Sequence, residues 1–182
     1  MLKKILLVLS ISLLFVSCEI LLETDFPTDY LNYTIIDSPD DVAQRAYNFA
    51  KLYSEQDTVY EWGGQDPLRS TIGIDCSGLV VMCYKYAMVD TVYELVSSDM
   101  TAQNIYDRAS RKVTYKTARK SDLIFIGTES SNKVTHIGLF EKYENDKVYF
   151  IDSSEDKNGV HYSEYPVDSK KIKGYGVMKV KY

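Results

Sequence analysis

The sequence predicts an α+β domain in which helices come first and a run of antiparallel strands follows. Three observations support this class. Val42, Ala46, Phe49, Ala50 and Tyr53 recur at helical spacing and make one apolar stripe. Residues 76–89 are almost wholly apolar, with Lys85 their only charge, as in a helix buried on most sides. From Leu123 onward, short β-branched and aromatic segments alternate with turn residues, the pattern of strands. Five to six strands are expected, with the apolar helix on one face. At 182 residues, 45% hydrophobic, the chain supplies a core for one domain and not for two.

The elements follow in order. Residues 1–17 read as an export signal: Lys3 and Lys4, an apolar run from Ile5 to Val16 broken by Ser10 and Ser12, then Ser17-Cys18. The run is short for a membrane span. It resembles a bacterial lipoprotein signal, with Phe15 where leucine is usual. That resemblance implies cleavage before Cys18, lipidation of Cys18 and tethering to a cell-envelope membrane face; secretion or an uncleaved anchor is the alternative. Residues 18–37 read as a tether and 38–182 as the domain. Ser38-Pro39-Asp40-Asp41 starts a helix that runs to Glu55, with Ser38 as the expected cap. Tyr60-Glu61-Trp62-Gly63-Gly64 precedes a loop over 65–74. After the apolar helix, Thr101–Ser110 makes a shorter one, capped near Ser98 or Asp99. Strands are expected at Leu123–Ile126, Val134–Lys142, Lys147–Asp152, Val160–Tyr165 and Gly176–Lys181, with a tight turn over Tyr143–Asp146.

Asp75-Cys76-Ser77-Gly78 concentrates the chemistry. It puts Cys76 in the first turn of the apolar helix. Unsatisfied N–H groups and the positive dipole end favour a thiolate there, and a thiolate is a nucleophile. Asp75 reads as the helix cap. Cys83 is seven residues on, a helical rise of about 10 Å against a limit of roughly 7 Å for bridged Cα atoms. A disulfide is therefore not expected, and Cys83 reads as a core residue. Only His136 and His161 are available as bases. Val134, His136, Gly138 and Phe140 are expected on one face of their strand, and Val148, Phe150 and Asp152 on one face of the next. A turn of three or five residues centred near Glu144 sets His136 opposite Asp152; a two-residue offset leaves them diagonal. A carboxylate there fixes the imidazole's tautomer and supports its protonated form. His161 is expected on a strand surface, as the fallback base.

Tyr60-Glu61-Trp62-Gly63-Gly64, Asp75-Cys76-Ser77-Gly78-Leu79-Val80, Asp122-Leu123-Ile124-Phe125 and His136-Ile137-Gly138-Leu139-Phe140, in this order and spacing, resemble the NlpC family of cell-wall cysteine peptidases. The likeness runs from about Asp40 to Val180. It implies a papain-like fold and hydrolysis of amide bonds in peptidoglycan stem peptides. By position it makes Cys76 the nucleophile, His136 the general base and Tyr60 a residue lining the site, where its hydroxyl and the Cys76 N–H would hold the oxyanion. Asp152 stands where the family usually has another histidine, and Ser121 where glycine is common. Trp62, Ser77 and Arg69 are the expected substrate contacts, Arg69 through a substrate carboxylate. The plainer readings are a packing anchor for Trp62 and a solvated loop arginine for Arg69.

Other classes are disfavoured. The net charge is −5, and −7 once Lys3 and Lys4 leave with the signal, which does not suit nucleic acid. Neither His-x-x-x-His nor Cys-x-x-Cys spacing occurs, so no metal or other cofactor is expected. Gly-x-Ser-x-Gly is absent too. A non-catalytic binder of wall peptides or a partner, and a thiol acyltransferase on the same scaffold, remain as alternatives. The oligomeric state stays open.

Overall fold

The computed structural model describes residues 33–66 and 71–182. The expected signal over 1–17, Cys18, most of the tether and Arg69 lie outside the described residues.

Helix α1 spans Asp40–Ser54 and buries Val42, Ala46, Tyr47, Ala50 and Tyr53. Pro39 takes the cap position, and no side chain makes a capping hydrogen bond to the first turn. Ser38, the expected cap, is buried with its N–H bonded to the Met178 carbonyl; attachment to the sheet replaces the capping role. Helix α2 spans Cys76–Ala87, two residues shorter than expected, and Asp90 beyond it turns the chain at φ 63°. Helix α3 spans Ala102–Arg108, and its cap is Thr101, whose hydroxyl accepts from the Asn104 N–H, rather than Ser98 or Asp99.

The main sheet has eight strands. The five expected from the sequence are β7 (Leu123–Ile126), β8 (His136–Glu144), β9 (Lys147–Ser154), β10 (Gly159–Pro166) and β11 (Ile172–Lys181). They run antiparallel in the order β11-β7-β8-β9-β10. Three short strands, β1 (Ile35–Asp37), β5 (Glu94–Leu95) and β6 (Ser110–Val113), join at β11. β1 takes its residues from the expected tether. A second sheet, β2 (Thr58–Val59), β4 (Ile72–Ile74) and β3 (Gln65–Asp66), has β4 in the middle, parallel to β2 and antiparallel to β3.

The main sheet is buried on both faces. Leu79, Val80 and Cys83 of α2 share one core with Ile137, Leu139 and Ile151. Ile124, Ile126, Phe140, Phe150 and Tyr175 form a second core on the other face. Val134 precedes β8 and packs in the first core, so it does not share a face with Phe140 as expected. β7, Leu-Ile-Phe-Ile, is buried at all four positions and reads as continuous apolar sequence for that reason.

The β8–β9 hairpin departs from the expected turn in an instructive way. Asn145 and Asp146 both have positive φ (53° and 58°), a two-residue turn of the type that suits strand twist, and Glu144 pairs with Lys147. Carried along the strands unbroken, that register would put Leu139 opposite Asp152 and turn His136 to the other face. The register instead shifts between Phe140 and Lys142. Glu141 is the extra residue of a β-bulge. Beyond it Phe140 pairs with Phe150 and Leu139 with Ile151, so His136 and Asp152 share a face.

Candidate active site

Each piece of the site is anchored by local chemistry. The Asp75 carboxylate accepts from the Gly78 N–H at 2.6 Å, from the Ser77 hydroxyl at 3.0 Å and from the Gly63 N–H at 2.9 Å. It caps α2 and ties the Tyr60–Gly64 segment to the helix start. A Cβ on Gly78 would lie 2.2 Å from the Gly64 carbonyl oxygen, so the first turn of α2 requires a glycine for this approach. The Ser77 hydroxyl serves the cap; no substrate is needed to explain its orientation. Ser153 of β9 donates to the Ile74 carbonyl at 2.6 Å, pinning the residues before Cys76 to the sheet. Thr58 accepts from the Val160 N–H at 2.9 Å, which docks β2, and with it Tyr60, beside the start of β10.

Cys76 is 7% exposed and unpaired. His136 begins β8. Its Nε2 meets Asp152 Oδ2 at 2.5 Å, in the diagonal arrangement: Asp152 Cβ lies 3.2 Å from where a Cβ on Gly138 would stand. The remaining carboxylate oxygen, Oδ1, accepts from the Ser163 hydroxyl at 2.6 Å. Asp152 is only 3% exposed. Burial alone would lower the His136 pKa; the bond from its ring to the Asp152 carboxylate, the interaction with Cys76, and the charge of both push it up to about 10. Nε2 belongs to Asp152, so Nδ1 is the ring nitrogen left for the sulfur. The order thiol, imidazole, carboxylate is one in which a proton can pass from sulfur to ring, with charges that would then alternate in sign.

Tyr60 stands near enough to feel the charge of Cys76, and burial first, then Cys76, Asp75 and Glu155, push its pKa up to about 12. Its hydroxyl therefore stays protonated and able to donate. Tyr60, His136, Asp152, Ser163, Tyr165 and Lys171 line a groove of about 400 Å³. Trp62 lies in the neighbouring turn with 86% of its surface exposed; it anchors no core. His161 is only partly exposed, and its Nε2 bonds the Lys157 carbonyl at 2.7 Å, which leaves it committed elsewhere. Ser163 and Lys157 were not singled out by the sequence. The signal that could have found Ser163 is its place two residues from the strand position facing Asp152.

The NlpC/P60 family model matches residues 57–174, more than half of the chain. The chain belongs to the NlpC/P60 family. Over 110 residues it is 30% identical to the murein DD-endopeptidase MepH of Escherichia coli K12, a match covering 59% of this chain and 37% of that protein; it therefore spans little more than a third of that relative's length. Among solved structures it is similar to an NLP/P60 family protein described as similar to lipoprotein from Staphylococcus aureus (TM-score 0.56, 23% identity, 80% of this chain and 44% of that one). NlpC1 from Trichomonas vaginalis is similar to the same degree (TM-score 0.56, 22% identity, 80% and 46%). These likenesses fix the papain-like NlpC/P60 fold, with helices on a large antiparallel sheet, as the sequence led one to expect.

Proposed function

We propose that this NlpC/P60 domain is a cysteine hydrolase that cleaves amide bonds in peptidoglycan stem peptides through a thioester on Cys76. The observation that carries this reading is the His136 ring fixed by the buried Asp152 carboxylate at 2.5 Å, with Cys76 at the start of α2 close enough to raise its pKa. Membership of the NlpC/P60 family and the likeness to a murein endopeptidase support the choice of substrate.

In this mechanism His136 takes the thiol proton on Nδ1, and the positive end of α2 and the imidazolium together stabilise the thiolate. The thiolate attacks the scissile carbonyl. The Cys76 N–H, at a helix position that no carbonyl of the helix reaches, and the protonated Tyr60 hydroxyl receive the oxyanion. His136 then protonates the leaving amine, and water opens the thioester. Asp152 keeps the imidazolium oriented throughout. Trp62, exposed in the turn beside Tyr60, is free to contact the substrate; Arg69 is assigned the same task from its sequence position. The N-terminal sequence supports export and a lipid anchor on Cys18 in the cell envelope, which would bring the domain to its polymeric substrate. Loss of membrane partitioning in Cys18→Ser tests that part.

The central test is digestion of defined muropeptides by the full chain, read by mass spectrometry. Release of an amine and a free carboxylate by the parent, and none by Cys76→Ala, is expected. Equal cleavage by the two proteins would end the cysteine assignment. Transfer of the acyl group to an added amine in preference to water would turn the reading toward an acyltransferase.

A further inference from the structure

Asp152 is a carboxylate taken almost wholly out of water, and a buried charge needs more than one partner. His136 occupies only Oδ2. The other oxygen receives the Ser163 hydroxyl at 2.6 Å, and Ser163 Oγ in turn accepts from Lys157 Nζ at 3.0 Å. The same ammonium donates to the Tyr162 carbonyl at 2.6 Å, which fixes it over the β9–β10 turn. The result is a hydrogen-bonded chain from a surface lysine to the imidazole beside Cys76: Lys157, Ser163, Asp152, His136. The donors all point one way up to the carboxylate, so each bond polarises the next.

We propose that Ser163 is a positioning residue for this hydrolase. Its hydroxyl, held and polarised by Lys157, clamps the Asp152 carboxylate so that Oδ2 stays on His136 Nε2. The proposal rests on the cysteine-hydrolase reading and extends it to a strand and a turn outside the matched motifs. The geometry explains why a clamp is needed. A carboxylate bound by one partner still swings about its last torsion, whose minimum is broad. Fixing both oxygens removes that freedom and holds the imidazolium in line with the sulfur. The hydroxyl also spares Asp152 an unpaired buried oxygen, which would raise the cost of its charge. Other charged or titratable groups around the pair are Cys76, Tyr60, Glu155, Asp156, His161 and Lys171. None of them bonds Oδ1 among the described hydrogen bonds, and the His161 Nε2 is taken by the Lys157 carbonyl.

The experiment uses two readouts on the purified full chain: muropeptide hydrolysis, and alkylation of Cys76 by iodoacetamide as a function of pH. Ser163→Ala is expected to lower kcat about 10- to 100-fold, the usual effect of removing a partner that orients a site ligand, with KM held within about twofold. Alkylation at pH 6 falls by about tenfold, because a misaligned imidazolium stabilises less thiolate, while at pH 10, where the thiol ionises unaided, it stays at the parental rate. Ser163→Thr keeps a hydroxyl and restores most of both. Lys157→Met, on an exposed turn where folding is not at stake, moves both readouts the same way by a smaller factor, about two- to fivefold as for an exposed charge. In an Asp152→Ala background, adding Ser163→Ala changes hydrolysis by less than about twofold, since the clamp has nothing left to hold.

A parental pH profile in Ser163→Ala, or an undiminished loss in the Asp152→Ala background, overturns the proposal and leaves the hydrolase reading intact. If the parent protein itself alkylates Cys76 no faster than Cys83 at pH 6, the thiolate–imidazolium reading fails first, and the clamp with it.

Discussion

At the start of α2, Cys76 lies close enough to the His136 imidazole to raise its pKa. Two turns along the same helix, Cys83 is completely buried among apolar side chains, and that burial raises its thiol well above the ordinary range. The helix and the residue type are the same; the surroundings differ. The first position offers free N–H groups, the positive dipole end and an imidazolium, all of which favour a thiolate. The second offers only hydrocarbon, which favours the neutral thiol. On the proposed reading, reactivity is a property of the place on the helix, and four substitutions probe the contrast.

Cys76→Ala should abolish peptide hydrolysis, by at least about 10³-fold, as deletion of a nucleophile does; residual cleavage within tenfold of the parent would erase the distinction between the two thiols. Asp152→Asn should cost about 10²-fold at neutral pH, from a misdirected imidazole. The sign of its pH effect is fixed. His136 is raised from an ordinary 6.5 to about 10, so the parent should keep its active imidazolium until pH climbs through about 10. Without the carboxylate the alkaline limb should move down toward the ordinary imidazole range. The same interaction adds stability that is fully present below about pH 6.5 and lost through about 10, so thermal melting of the parent, but not of Asp152→Asn, should show that loss. An unmoved limb would remove Asp152 from the site.

Gly78→Ala places a methyl against the Gly64 carbonyl. It should destabilise by about 1–3 kcal/mol, the range for a forced close contact, and lower the alkylation rate of Cys76 with it, because the cap and the Tyr60 segment shift together. Denaturant unfolding and alkylation measured side by side test this. Cys83→Ala is the mildest: about 1–2 kcal/mol of stability for a vacated buried site, with kcat and KM unchanged. A large loss of kcat would mean that the second thiol is not the inert one.

Much of this contrast was legible in the sequence. The apolar run after Asp75 marked both the buried helix and its exceptional first turn, and Asp75 as cap followed from its position. The five strands from Leu123 onward were readable because each is long enough to show its pattern. Short strands were not: β2, β3 and β5 have two residues each, fewer than any periodicity needs. β1 hid in an acidic, aromatic stretch that resembles a tether and pairs only because β11 offers it an edge. Thr101 displaced the expected cap of α3 because several candidate capping residues crowd that stretch, and packing chooses among them.

What the sequence by itself determined is the cast and its chemistry: a cysteine at a helix start, one histidine and one aspartate on neighbouring strands, and a tyrosine motif upstream. These follow from local rules of capping, dipoles and alternation, which act within a few residues. What only the tertiary structure decided is the meeting of those residues. The two-residue turn at Asn145–Asp146 alone would have set His136 and Asp152 on opposite faces; the bulge at Glu141 returns them to one. The Ser163 and Lys157 partners come from a third strand and its turn, through contacts between strands that no local pattern encodes. Register is settled by the sum of packing on both faces of the sheet, and so it appears only when the chain is folded.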